Sequence, residues 1–139
     1  MYSSMPPSSL RVLVADDDDE MLAYLTATLQ GDGCATVQAH DGDQLLDLLR
    51  NALDDPKLRP DVIVADVKMP GLSGLGVLAA LQRMTSTLPV VLITAADDAS
   101  IHTVAKRLGA VGVLHKPFDP DDLLIAVRNA SSIRALHGP

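Results

Sequence analysis

Apolar positions along the chain follow two different periods. Five short runs, LRVLVA (10–15), CATVQA (34–39), DVIVA (61–65), PVVLI (89–93) and GVLH (112–115), are rich in β-branched residues or bounded by turn residues, and read as strands. Between and after them lie MLAYLTATL (21–29), DQLLDLLRNAL (43–53), LGVLAALQRM (75–84), SIHTVAKRL (100–108) and DDLLIAVRNA (121–130), whose apolar residues recur at helical spacing. Strand and helix therefore alternate five times. The punctuation agrees: Gly31 and Gly33 close the first predicted helix, Gly109 the fourth, and Asp119 with Pro120 opens the last.

Strands that are apolar nearly throughout, joined by helices, predict a parallel sheet covered on both faces with right-handed crossovers. The predicted fold class is thus α/β, a doubly wound five-stranded parallel sheet of flavodoxin-like order 2-1-3-4-5 with five helices. In that order the winding reverses between strands 1 and 3, and ligands bind at the reversal, outside the carboxyl ends of the strands. DDPKLRP (54–60), with two prolines and four charges, is expected as an exposed loop. A chain of 139 residues suits one domain, placed at 10–133 between a flexible leader (1–9) and a short tail (134–139).

Composition narrows the function classes. The chain is 47% apolar but has only three aromatics, Tyr2, Tyr24 and Phe118, so the core must be aliphatic. A net charge of -7 offers no electrostatic reason to bind nucleic acid or an anionic membrane. The single cysteine, Cys34, lies in an apolar strand and reads as a small core residue, which fits a reducing, cytoplasmic setting. MYSSMPPSS lacks the basic start and apolar run of a signal peptide, and no segment approaches the about 20 apolar residues of a membrane span. A soluble, cytoplasmic protein is expected.

The chemistry gathers at strand ends. Strand 1 runs into Asp16 and Asp17, strand 3 into Asp66, strand 4 into Thr94 and strand 5 into Lys116. The predicted strand order lines these ends along one edge, so three carboxylates, a hydroxyl and an ammonium share one crevice. Three close carboxylates repel one another, and a divalent cation relieves this. All-oxygen ligands favour Mg²⁺ or Mn²⁺ over zinc, because no His or Cys spacing for zinc exists; His40, His102, His115 and His137 read as surface or structural residues. Lys116 and Thr94 supply the charge and the donor that a phosphoryl group needs. Asp18 and Asp19 have a different role, as N-cap and first-turn acids of the helix that follows.

VADDDDEM, DVIVADVKMPGLSG, PVVLITA and LGAVGVLHKPFDPDDL, in this order, closely resemble the receiver domain of bacterial two-component response regulators over roughly residues 10 to 130; DVKMPGLSGL with KPFDP is particularly similar to receivers of the nitrogen-regulation type. The resemblance implies that Asp66 is the phosphoacceptor, taking a phosphoryl group from a sensor kinase phosphohistidine or a histidine phosphotransfer protein. It implies that Asp17, Asp66 and the backbone carbonyl of Lys68 hold Mg²⁺ directly and that Asp16 acts through water. Lys116, with a cis bond to Pro117, is expected on the phosphoryl oxygens. Thr94 is expected to donate its hydroxyl to the phosphoryl group and draw its loop inward. The output face implied is helix 4, strand 5 and helix 5, engaging a downstream effector protein or domain, and a dimer formed on phosphorylation is among the states the resemblance allows.

One departure concerns Val113, where many receivers carry an aromatic switch residue three positions before the lysine; here the switch must rely on the Thr94 loop and helix 4. The chain is expected to catalyse its own phosphorylation and dephosphorylation without turning over an external substrate. A phosphatase of the haloacid-dehalogenase kind also uses an aspartate nucleophile and Mg²⁺, but it needs an acid two residues on, where this chain has Lys68. A flavin carrier needs a glycine-rich phosphate loop and stacking aromatics, which this chain lacks. A degenerate receiver that only binds partners would normally have lost one of these acids.

Overall fold

The computed structural model describes residues 10–84, 86–95 and 99–137, with side chains throughout except at residues 53, 99 and 134–137. The predicted leader, 1–9, lies outside the described residues. Five strands, β1 (Arg11–Ala15), β2 (Ala35–Ala39), β3 (Val62–Asp66), β4 (Val90–Thr94) and β5 (Gly112–His115), alternate with five helices. These are α1 (Asp19–Gly31), α2 (Gly42–Asp54), α3 (Gly74–Arg83), α4 (Ala99–Arg107) and α5 (Pro120–His137). All strand pairs are parallel, and the order is β2-β1-β3-β4-β5, as the sequence predicts.

The period of two along each strand separates two cores. Leu13, Ala15, Ile63, Ala65, Val90 and Leu92 face α2, α3 and α4, whereas Val12, Val14, Val62, Val64, Val91 and Ile93 face α1 and α5. On α1 the residues Leu22, Leu25 and Leu29, spaced three and four apart, are fully buried against the second set. Each such leucine contributes about 1.5–3 kcal/mol by leaving water. Covered on both sides, the three central strands are buried nearly end to end.

The edge strand β2 departs from the expectation of strands covered on both faces. Ala35, Val37 and Gln38 are exposed, because β2 has a neighbour on one side only and α1 covers it only in part. Its polar side chains compensate by bonding α1: Gln30 donates to Thr36 (2.9 Å) and Gln38 to Thr26 (2.8 Å).

Helix ends follow the acid and glycine signals. Asp18 caps α1 by accepting from the backbone N–H groups of Glu20 and Met21, with Asp19 and Glu20 in the first turn. Gly33, at φ 91°, closes the helix: its N–H reaches the Gln30 carbonyl and that of Cys34 reaches the Leu29 carbonyl, burying Cys34. Residues 54–60 are largely exposed but not structureless, since Pro56–Leu58 forms a single 3₁₀ turn capped by Asp55. α5 continues unbroken to His137, beyond the expected domain boundary at 133. Among the described residues no helix is long and apolar enough to cross a membrane.

Candidate functional site

The carboxyl ends of β1, β3, β4 and β5 bring Asp16, Asp66, Thr94 and Lys116 together along one edge. Asp16 (0% exposed), Thr94 (3%) and Asp66 (5%) are the buried polar or charged residues among those described. Asp17, the next residue after Asp16, is exposed. Carboxylate oxygens of Asp16, Asp17 and Asp66 all lie within 4.8 Å of one another, a spacing that suits a shared cation.

Each oxygen of Asp66 has a partner. Oδ1 accepts from the Lys68 backbone N–H at 2.8 Å, and Oδ2 accepts from Lys116 Nζ at 2.6 Å. Lys116 Nζ also lies 3.9 Å from Asp16 Oδ2. Its backbone N–H bonds the Thr94 carbonyl (2.8 Å), which ties β5 to β4 at the site, and its bond to Pro117 is cis, as expected. Burial works against the ammonium, but the hydrogen bond to Asp66 and the charges of Asp66 and Asp16 outweigh it and hold the Lys116 pKa above its ordinary value.

Asp16 is divided between the two environments. Oδ1 accepts from the Asp18 backbone N–H (2.9 Å), whereas Oδ2 is buried with no hydrogen-bond partner. A buried carboxylate oxygen without a donor is costly, and a divalent cation among these three acids would remove that cost. The residues therefore fit a hard, oxygen-seeking metal on a structural observation independent of the motif.

Burial, reinforced by the Asp66 charge against the opposing Asp18 hydrogen bond and Lys116, raises the Asp16 pKa from 3.8 to about 6. Between these values the folded, metal-free chain binds more protons than the unfolded chain, so stability falls as pH rises through the window. Asp16→Asn is expected to abolish that slope, leaving the variant more stable than the parent above about pH 6 and similar to it below about pH 4. Urea midpoints measured across this range in the presence of a chelator check it. Equal slopes in the two proteins would remove the unpaired Asp16 charge as their cause.

Lys68 is exposed, as expected of a loop lysine, but its N–H contact to Asp66 is absent from the sequence reading. A second missed residue is Gly74, the first of α3. A Cβ there would lie 2.5 Å from the Asp66 carbonyl oxygen and 3.1 Å from Leu92 Cδ2, so only glycine lets α3 start directly behind Asp66. The glycines at 71, 74 and 76 in PGLSGLG were the available signal. Val113 pairs with Leu92 and is partly buried against the α2–α3–α4 core. His115 is exposed and stacks on His102 of α4, with centroids 6.1 Å apart and planes at 14°.

Residues 12–128 match the family model of the response regulator receiver domain. The DNA-binding response regulator MtrA of Mycolicibacterium smegmatis is 36% identical over 118 residues, covering 85% of this chain and 49% of the relative. The chain spans about half the length of the curated relatives it matches. Among solved structures, the Francisella response regulator 1452 receiver domain superposes with a TM-score of 0.82 at 30% identity, covering 90% of this chain and 98% of the other. The receiver domain of the NarL response regulator from Mycobacterium tuberculosis gives 0.81 at 32% identity, covering 92% and 100%.

Proposed function

Because this chain belongs to the response regulator receiver domain family, we propose that Asp66 is its phosphoacceptor and that the group arrives from the phosphohistidine of a sensor kinase or a histidine phosphotransfer protein. The observation that carries this reading is the Lys116 ammonium, 2.6 Å from Asp66 and shared with the buried, half-satisfied Asp16, at the carboxyl edge of the sheet. An Asp66 oxygen attacks phosphorus, the P–N bond to the imidazole breaks, and the imidazole leaves with the electron pair. The product is an acyl phosphate.

The chain's own groups position this transfer. The Lys68 N–H holds one Asp66 oxygen and orients the carboxylate. Lys116 neutralises the other and passes to a phosphoryl oxygen as charge moves outward. Asp17, Asp66 and the Lys68 carbonyl would hold Mg²⁺ or Mn²⁺ directly, with Asp16 behind them through water. Bound there, the ion supplies positive charge against the phosphoryl oxygens and offsets the repulsion of the carboxylates. Thr94, buried at the end of β4, donates its hydroxyl to the phosphoryl group and transmits its arrival to α4. With valine at 113, that transmission does not run through an aromatic ring.

The output is a shift of the α4–β5–α5 face, read by an effector protein or by a domain such as the DNA-binding part that the name of MtrA implies for that relative. The chain itself, at net charge -7, does not bind nucleic acid, works in the cytoplasm, and acts on its own Asp66 alone. With acetyl phosphate and Mg²⁺, intact mass is expected to show one added phosphoryl group, lost in hydroxylamine and not formed with a chelator. An unmodified protein that still binds Mg²⁺, under donor conditions where a control receiver is modified, would overturn small-donor phosphorylation and leave a partner-binding module or a receiver that needs its own kinase.

A further inference from the structure

The loop between β3 and α3, residues 67–73, carries Lys68, and its far end is held in an unusual way. Leu72 sits between two glycines on different helices. A Cβ on Gly42, the first residue of α2, would overlap the Leu72 carbonyl oxygen and stand 2.7 Å from its carbon and 2.9 Å from Leu72 Cβ. A Cβ on Gly76, in the first turn of α3, would stand 2.5 Å from Leu72 Cδ1 and 3.2 Å from Cγ. The Gly42 contacts and the 2.5 Å contact at Gly76 are closer than side chains pack, so the bare Cα positions of Gly42 and Gly76 let α2 and α3 close on Leu72 from either side.

The same seam continues along the loop. Gly71, at φ 74°, passes beneath Asp43 of α2, whose Oδ2 would be 2.5 Å from an added Cβ. At the other end the Val67 N–H bonds the Ile93 carbonyl (2.8 Å), the Gly74 N–H closes the loop onto the Val67 carbonyl (3.0 Å), and Val67 and Met69, on either side of Lys68, are buried in the same core. Lys68 lies between these anchors with its N–H on Asp66. The leucine side chain itself packs, partly buried, on the α2–α3 core.

We propose that Leu72 is a positioning residue: gripped by Gly42 and Gly76, it fixes the 67–73 loop against α2 and α3 and so sets where Lys68 stands relative to Asp66. The inference rests on the reading above in which Lys68 and the three aspartates hold the cation.

The test compares Leu72→Ala, Gly42→Ala and the conservative Leu72→Met with the parent. Gly31→Ala serves as the control, because its added methyl would meet nothing within 4 Å. Calorimetric titration with Mg²⁺ is expected to give an affinity about tenfold weaker in Leu72→Ala and Gly42→Ala, near parental in Leu72→Met, and unchanged in Gly31→Ala. In metal-free protein the amides of residues 67–74 exchange faster in the first two variants. At saturating Mg²⁺ the extent of acetyl phosphate modification recovers, which separates positioning from loss of the acceptor. Parental affinity and parental exchange in Leu72→Ala would overturn the proposal, as would an equal loss in Gly31→Ala. Should Gly42→Ala fail to fold, Leu72→Ala still decides, since it only removes atoms from a partly buried side chain. If the parent protein itself neither binds Mg²⁺ nor accepts a phosphoryl group, the proposed function falls, and amide exchange, which needs neither, still decides the role of Leu72.

Discussion

Asp66→Asn is expected to fold normally and to take up no phosphoryl group. The substitution preserves shape in a site where Asp66 is 5% exposed, so no cavity opens, and the amide oxygen can still accept from the Lys68 N–H or from Lys116. It removes the nucleophilic charge, without which attack on phosphorus falls by about a thousandfold or more, below detection by mass. It also removes one of two buried carboxylates that repel each other, which offsets the weakened bond to Lys116. Stability in metal-free buffer is expected to stay within about 1 kcal/mol of the parent. Intact mass after acetyl phosphate, read beside a urea titration, gives both answers. An adduct of undiminished yield, or one moved to Asp16 or Asp17, would end the assignment of Asp66.

Lys116→Met is expected to damage both stability and transfer. Among the described residues, Lys116 supplies the one cationic group within salt-bridge distance of Asp16 or Asp66. Methionine keeps the bulk of the stem but leaves two buried carboxylates facing each other, and breaking a buried pair in this way costs about 3–5 kcal/mol. The ammonium keeps some contact with solvent, which places the expected loss at the lower end, about 3 kcal/mol at neutral pH. Added Mg²⁺ should recover much of it. Lowering the pH through the Asp16 transition, raised to about 6 in the parent, should do the same, because protonation removes one of the stranded charges. Transfer from acetyl phosphate falls about a hundredfold, as when a fixed donor to a developing anion is removed. A variant with parental stability at neutral pH and at acid pH would show that solvent, not Lys116, balances these carboxylates.

The two losses differ in kind, and that separates chemistry from architecture. Asp66→Asn is expected to abolish transfer in a stable protein. Lys116→Met is expected to weaken the metal-free fold through the same contact that is proposed to serve the transfer. One ammonium therefore pairs with Asp66 in the metal-free site and, in the proposed function, serves the phosphoryl group as well, which accounts for a lysine at the end of β5 rather than a neutral donor.

What the sequence determined by itself follows from periodicity and local chemistry. Runs such as VIVA and VVLI can only be strands covered on both faces, and glycine or aspartate at their flanks stops and starts the helices without help from distant residues. From strand order alone the carboxyl ends converge, so Asp16, Asp17, Asp66, Thr94 and Lys116 were legible as one site before any coordinates. The tertiary structure decided what depends on which backbones touch. Lys116 chooses Asp66 over Asp16 as its close partner, and one oxygen of Asp16 is left buried without a donor; both are matters of ångströms that no spacing encodes. The exposure of β2 required knowing how far α1 reaches over an edge. The hold of Gly42 and Gly76 on Leu72 joins residues 30 or more positions apart on one side and four apart on the other, and a glycine's reason for being bare is visible only when the atom that would fill its place is known.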